Sequence, residues 1–477
     1  MRSTSAQTAK FVAAVILAGW LVGPHASAPG RDHPPASRAF PLRFEARDEG
    51  TLVADTLDGS IAVSGGALAL RDRGGVETLR LTLRGESGAT FESGDPSQGA
   101  TRVVSDLATT RDVTTYRSLR ARGIAPGVDA IVSGEGGRIE LRFEIAPGAA
   151  PATISLTSSA LAQIDGAGRI HASSFTIGAP MASRAGDPSA LAPVAHLTTA
   201  GAGELAVGLT DGDEAGPIEV RIPIWESVSG LRSLDPGKSA PKLALDADGN
   251  AYLTTRAPAR SGDPGDPGDI LVARLDRSGI DYVWVTYVAS AGDDDPRAIA
   301  VDARGRIAVA GRGATGSFIA YLDAVSGMLS ATTSLDADEP RAIAADETGA
   351  LWVGGGTPAA EGLLARIDAE GSVTRFPVAG APIDAIAVAI DGSSIAAARG
   401  SAVGLFTREG KTSTTVDLST IGIERTASLA FARDGRLVVA GRAAGTGGGD
   451  VAVAAIEPGG AGAVLLSRLA GAQADEA

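Results

Sequence analysis

The sequence predicts an all-β chain, an N-terminal β-sandwich-like domain followed by a β-propeller of five blades, and three observations carry that prediction. Gly is abundant, at 63 of 477 residues, while aromatic residues make up only 4%. This mixture favours many short strands joined by tight turns over long helices. The segment RAIAVDARGRIAVAG (297–311) returns 44 residues later as RAIAADETGALWVGG (341–355), each copy entered through an acid-Pro step, Asp295-Pro296 and Glu339-Pro340. Before residue 226, strict alternation of apolar and charged residues, as in RIELRFEIAPG (138–148), takes the place of any helical period.

Taken in chain order, residues 1–28 read as an export signal. Arg2 and Lys10 supply positive charge, residues 11–22 form an apolar run, and Ala26-Ser27-Ala28 offers a small-x-small cleavage site ahead of Pro29. Twelve apolar residues are too few to span a bilayer, so no membrane span is expected after signal removal. The chain has no Cys, which excludes a lipoprotein anchor, disulfides and thiolate metal sites. The expected compartment is therefore the periplasm, the cell surface or the medium.

Without Arg2 and Lys10, 40 basic groups face 56 acidic ones, a formal charge of −16. Such a surface repels phosphate backbones and anionic lipid, which leaves protein or carbohydrate at the cell surface as the expected partner class and a monomer as the expected state.

A Pro-bearing linker, 29–37, leads into the first domain, 38–225. There Ile139, Leu141, Phe143 and Ile145 point one way while Glu140, Arg142 and Glu144 point the other. Residues 77–85 and 218–225 alternate in the same manner. The pattern is that of half-buried antiparallel strands.

Residues 226–477 carry the repeat. A turn glycine recurs at Gly249, Gly305, Gly349, Gly392 and Gly435, at intervals of 56, 44, 43 and 43. A period of about 40–45 residues with four strands per unit is the signature of a propeller blade. In Asp302-Ala303-Arg304-Gly305 the Asp can cap a turn and the Gly can take positive φ, closing a hairpin.

A second hairpin marker follows in each unit, at Gly279, Gly327, Gly371, Gly410 and Gly459, and outer strands follow at 282–288, 328–335, 373–378, 414–418 and 464–469. Five complete units fit between about 241 and 470, and an inserted loop, SGDPGDPGD (261–269), accounts for the long first interval. Residues 222–228, IPIWESV, read as a fourth strand without its predecessors, leaving a sixth blade or a closing strand open.

The run GDILVARLDRSGIDYVWVTYVASAGDDDPRAIAVDARGRIAVAG (268–311) resembles the SBBP repeat, a bacterial β-propeller repeat of exported and cell-surface proteins. The LDxSG turn, the V-x-TY strand, the GDD element and the IAVDxxG hairpin carry the likeness. Residues 41–50, 122–134, 137–156 and 222–227 are similar to the uncharacterised β-domain that usually precedes such propellers. The resemblance implies an exported propeller protein and transfers no activity.

Chemistry is sparse. After Trp225 there is neither His nor Cys, so the propeller can hold no His-ligated metal, no Ser-His-Asp triad and no His general base. The remaining His residues after the signal are His33 in the linker and His171 and His196 in the first domain. The Gly-rich segment GGGTPAAEG (354–362) lacks the Lys-Ser/Thr ending of a phosphate-binding loop.

Carboxylates are the one catalytic resource, which frames the alternative reading of a carboxylate-dependent extracellular glycoside hydrolase. Two acidic clusters stand out, Asp263, Asp266 and Asp269, and Asp293, Asp294 and Asp295. The same six are the candidate Ca²⁺ ligands, since loop carboxylates suit a hard cation. Asp246-Ala247-Asp248-Gly249-Asn250 looks like the opening of an EF-hand loop, but its twelfth position is Ala257 and a hairpin turn explains it. Trp225, Trp284 and Trp352 sit inside alternating strands and are expected in cores. The reading is an exported non-enzymatic protein offering a binding or scaffolding surface, with no catalytic residue and no cofactor unless Ca²⁺ binds.

Overall fold

The computed structural model describes residues 43–226 and 241–469, apart from short segments of which the longest are 185–193 and 258–267. The export signal, the linker, Asp263, Asp266 and Gly279 lie outside the described residues.

The first domain is a sandwich of a nine-stranded and an eight-stranded antiparallel sheet. Its core joins Phe44, Ile61 and Leu70 of one sheet to Leu119, Leu141 and Ile224 of the other. The alternation at 138–145 places Ile139, Leu141, Phe143 and Ile145 in that core. On the opposite face the charged residues form a cross-strand ladder, with Arg120 held by Asp129 at 3.0 Å and by Glu144 at 2.8 Å.

Five blades follow. Blade 1 comprises Lys242–Leu245, Ala251–Ala257, Asp269–Leu275 and Tyr282–Val288. Blade 2 comprises Asp295–Val301, Arg306–Gly313, Gly316–Asp323 and Leu329–Asp336. Blade 3 comprises Glu339–Ala345, Leu351–Gly356, Gly362–Ile367 and Val373–Val378. Blade 4 comprises Ala385–Val388, Ser394–Arg399, Ala402–Thr407 and Thr412–Asp417. Blade 5 comprises Ile423–Phe431, Leu437–Ala443, Asp450–Ile456 and Ala463–Leu469. The first strand of each blade is innermost, where neighbouring blades touch.

Each blade is a small sheet with two apolar faces, so it is stable only when stacked on its neighbours. Separate cores fill the four consecutive junctions. Trp284 and Ile299 meet between blades 1 and 2, and Tyr321 and Val353 between blades 2 and 3. Trp352 and Ile386 meet between blades 3 and 4, and Leu405 and Val439 between blades 4 and 5.

The repeated turn chemistry follows from backbone accounting. Asp302 accepts hydrogen bonds from the Arg304 and Arg306 amides at 2.9 and 2.8 Å, and Asp246 and Asp346 do the same in blades 1 and 3. Gly305 closes the turn at φ 74°. In blades 4 and 5 the Asp has moved next to the Gly, as Asp391 and Asp434, yet the glycines keep φ of 63° and 82°.

The second turn glycine does more. A Cβ on Gly327 would lie 2.5 Å from the Trp284 ring of blade 1, and one on Gly410 would lie 2.2 Å from the Phe376 ring of blade 3. Each of these turns is thus pressed onto the outer strand of the preceding blade, a contact reinforced by the Trp284 indole donating to the Ala324 carbonyl at 3.0 Å.

Two features depart from the sequence reading. Residues 222–226 do not start a sixth blade: they belong to the strand Ile218–Glu226, which pairs along its length with Arg138–Ile145 in the sandwich. Five blades are present among the described residues. The division at residue 225 is also crossed in space, because the hairpin Ala100–Ser105 and Thr109–Val113 leaves the sandwich and extends blade 1, pairing in parallel with Tyr282–Val288. Val103 enters a core with Leu271, Val285 and Tyr287, and Asp106 and Leu107 turn with φ of 51° and 54°. Nothing in the alternation of 100–113 shows that its partner lies more than 170 residues away in sequence.

Among the described residues the ring does not close. Contacts between neighbouring innermost strands link blades 1 to 5 in succession, but blade 5 does not pack on blade 1 in the same manner. Leu243 and Leu245 of blade 1 are 45% and 51% exposed, on the side of a wedge that no described blade fills. At the occupied junctions the corresponding innermost strands bury Ile299, Ile343 and Ile386.

We expect Gly327→Ala to destabilise the propeller by about 2–4 kcal/mol, combining the left-handed backbone penalty with overpacking against Trp284. Gly305→Ala, at a similar φ but with open space around the Cβ, should lose only about 1–2 kcal/mol. Urea unfolding midpoints of the two variants check the difference, and equal losses would contradict the pressed-turn account.

Candidate functional site

The acid-Pro steps define one rim of the propeller. Every innermost strand starts on this upper face, while the Asp-Gly hairpins lie on the lower face, because the four strands of a blade run alternately up and down. Pro296 and Pro340 sit where the ladder to the second strand shifts register, so the missing N–H costs no regular pair.

The charged residues beside these prolines bridge the blades. Arg256 of blade 1 pairs with Asp293 in the connection to blade 2. Arg312 of blade 2 reaches Glu339 of blade 3 at 2.5 Å. Asp384, just before blade 4, takes Arg341 of blade 3 at 2.8 Å and Arg425 of blade 5 at 3.4 Å. These pairs are partly solvated, so each contributes at most about 1 kcal/mol and serves chiefly to fix how neighbouring blades meet.

The six acids singled out in the sequence do not act as one group. Asp263 and Asp266 fall outside the described residues, and Asp269 is buried at the start of the third strand of blade 1. Asp293 is half-exposed against Arg256, and Asp295 pairs with Arg297 at 3.1 Å. Asp294 is fully buried and accepts from the Ser290 amide at 2.6 Å and from the Ser290 hydroxyl. Its own amide donates to the Gly268 carbonyl at 2.9 Å. A Cβ on Gly313 would lie 2.0 Å from Ser290 Oγ, so glycine is required where blade 2 closes over this cap. Among the described residues no group of three or more His, Asp or Glu side chains converges as a metal site.

Several carboxylates are held below their ordinary value. Burial pushes Asp346 upward, but hydrogen bonds from the Thr348 hydroxyl and the Ala350 and Thr348 amides outweigh it and hold the carboxyl below its usual range. Asp246 is held low by the same balance, with Asn250 and the Tyr252 hydroxyl as donors, and the Tyr252 phenol is pushed up to about 12 by burial and by Asp246. Asp323 is lowered by the Ser326 hydroxyl and amide.

His171 and His196 lie on edge strands of different sheets of the sandwich. Trp284 and Trp352 are buried in blade junctions, Trp352 stacked on Phe376 at 5.7 Å, while nothing is described of the Trp225 side chain. No helix among the described residues is long and apolar enough to cross a membrane. The sequence reading missed the inter-blade Arg pairs and the wedge. Arg341, one place after the acid-Pro step Glu339-Pro340, was the available signal for the former.

With this geometry in place, comparisons with known proteins can be stated. Residues 71–175, within the sandwich region, match a family described as a domain of unknown function (DUF7948). No curated protein matches the chain significantly. Among solved structures, the structure of U3-55K is 14% identical over 48% of this chain, with a TM-score of 0.35, and the match covers 65% of that structure's chain. The RRP9 WD40 repeats give the same values. A protein of unknown function from Bacteroides caccae is 17% identical over 51% of this chain and 84% of its own, with a TM-score of 0.38.

Two outcomes follow from the site. A carboxylate whose folded pKa lies below its unfolded value adds stability that is complete above the ordinary range and is lost as pH falls through the folded value. The melting midpoint should therefore hold between about pH 7 and pH 5 and fall below about pH 4, with Asp346→Asn removing part of that fall. A midpoint that rises on acidification contradicts this. Because Asp293, Asp294 and Asp295 are committed to separate protein partners, we expect the same melting midpoint in Ca²⁺ and in EDTA, and a clear upward shift with Ca²⁺ would overturn that expectation.

Proposed function

We propose that the chain is an exported, non-enzymatic scaffold of SBBP-type repeats, whose open wedge and upper rim bind a protein or carbohydrate of the envelope or the surroundings. The observation that carries the reading is the pair of exposed leucines, Leu243 and Leu245, on a propeller face that elsewhere in the ring is covered by the preceding blade. Exposed apolar surface rimmed by charge is characteristic of a docking site. Here the rim is supplied by Lys242, Arg297 and Arg425 at the upper ends of the innermost strands.

Support also comes from what the rim does with its acids. Asp384, Glu339 and Asp293 are neutralised by Arg from neighbouring blades, an arrangement suited to holding a shape. Export is supported by the apolar run at 11–22 and the small residues at 26–28, and the repeat type by the motifs in 268–311.

Isolated cell envelopes of the exporting bacterium provide a direct probe. The purified protein should be retained on them, and Leu243→Asp with Leu245→Asp should lower retention at least about tenfold, equivalent to about 1.4 kcal/mol, without altering the circular dichroism spectrum. Equal retention would remove the wedge from the binding surface. A polysaccharide-hydrolysing activity abolished by Asp384→Asn would replace the scaffold with an enzyme.

A further inference from the structure

The hairpin that leaves the sandwich has little to hold it together by itself. Its second strand, Thr109–Val113, is exposed along almost its whole length, and a lone two-stranded hairpin in water is marginal. Its burial comes from the other domain. Thr101, Val103 and Val104 are buried where the first strand runs beside Tyr282–Val288, in parallel register from Ala100 against Trp284 to Val104 against Val288.

The contacts continue past blade 1. At the tip, Leu107 packs against the core shared by blades 1 and 2, and the Ala289 amide donates to the Val104 carbonyl at 2.9 Å. The Arg102 guanidinium donates to the Ser326 carbonyl in a turn of blade 2 and pairs with Asp112 across the hairpin at 3.0 Å. Into the same turn of blade 2 the Thr286 hydroxyl of blade 1 donates, to the Gly327 carbonyl at 2.7 Å.

The base of the hairpin is tied from the sandwich side. Arg43, buried just ahead of the strand Phe44–Asp48, donates to the Tyr282 carbonyl at 3.4 Å. Thr115, which pairs with Glu45 in the sandwich, shares a hydroxyl contact of 3.4 Å with Thr101. A Cβ on Gly99 would stand 2.8 Å from the Tyr282 carbonyl oxygen, so the chain meets blade 1 where no side chain fits.

Dependence therefore runs both ways. Blade 1 takes cover for Leu271, Val285 and Tyr287 from the hairpin, and the hairpin draws its own burial from blade 1. We infer that the hairpin is a strap that makes the sandwich the folding cap of the propeller: the sandwich and blade 1 gain and lose structure as one unit. Stacked arrays need such a cap on a terminal unit, with a polar outward side, and the outer strand of the hairpin reads TTRDV. The inference goes beyond the scaffold reading and fails separately from it, since its test uses no binding partner and leaves Leu243 and Leu245 untouched.

Hydrogen exchange of the full chain at rising urea, read by mass spectrometry, tests this coupling. Peptides covering Arg138–Ile145 of the sandwich and Asp269–Leu275 of blade 1 should lose protection at the same urea concentration. Leu141→Ala, in the sandwich core, should lower both midpoints by the same amount. Val103→Asp with Leu107→Asp should pull the midpoints apart, and adding Leu141→Ala to that pair should then move the sandwich alone. Thr110→Asp, on the exposed strand, should leave the midpoints together. Separate midpoints in the unaltered chain overturn the inference, as does a Leu141→Ala shift confined to the sandwich. So do midpoints that still coincide in the Asp pair. The first two readings decide the matter even if the Asp pair does not fold.

Discussion

A four-stranded sheet with apolar residues on both faces is insoluble alone, and the whole C-terminal half is organised to satisfy that constraint. Each face must be covered by another sheet, so the repeated unit dictates a radial stack. Because blades diverge from the axis, the space between them widens with radius, and the side chains follow that taper. Inner strands offer Ala298, Ala300, Ala385 and Ala387, while outer strands supply Trp284 and Phe376. The turn glycines belong to the same solution, since Gly327 and Gly410 let the next blade come down on those rings.

The same constraint explains how the two domains are joined. Among the described residues no preceding blade covers the back face of blade 1, and its outer strand is strongly apolar. The hairpin from the sandwich supplies both an added strand and Val103, closing the outer part of that face over Leu271, Val285 and Tyr287. Its turn holds Leu107 at positive φ, an uncommon conformation for a side-chain-bearing residue, secured by its amide bonding to the Ala289 carbonyl at 3.0 Å and by packing between blades 1 and 2. What the hairpin does not reach is the inner part of the face, and there Leu243 and Leu245 stay in solvent.

Several propeller carboxylates cap its own turns, as Asp302 and Asp346 do, and others pair with Arg across a blade junction, as Asp384 does. Of the exposed large apolar residues, Leu243 and Leu245 lie on the first blade and Val451, Val464, Leu465 and Leu466 on the last.

By itself the sequence determined the local structure and the repeat. Hairpin turns are short-range, so Asp302 and Gly305 declare theirs within four residues, and alternation at 138–145 gives strand and face directly. The stacking of five blades follows because identical letters imply identical units. Tertiary structure decided whatever depends on two segments far apart in the chain. The string IPIWE reads equally well as a blade strand or a sandwich strand, and only the ladder to Arg138–Ile145 chooses between them. The pairing of 100–105 with 284–288, the Arg bridges to Asp384 and the open wedge were likewise invisible. Periodicity states which side of a strand is apolar, but what covers that side is set by geometry around the ring, where a small angular difference between blades accumulates until the last either meets the first or does not.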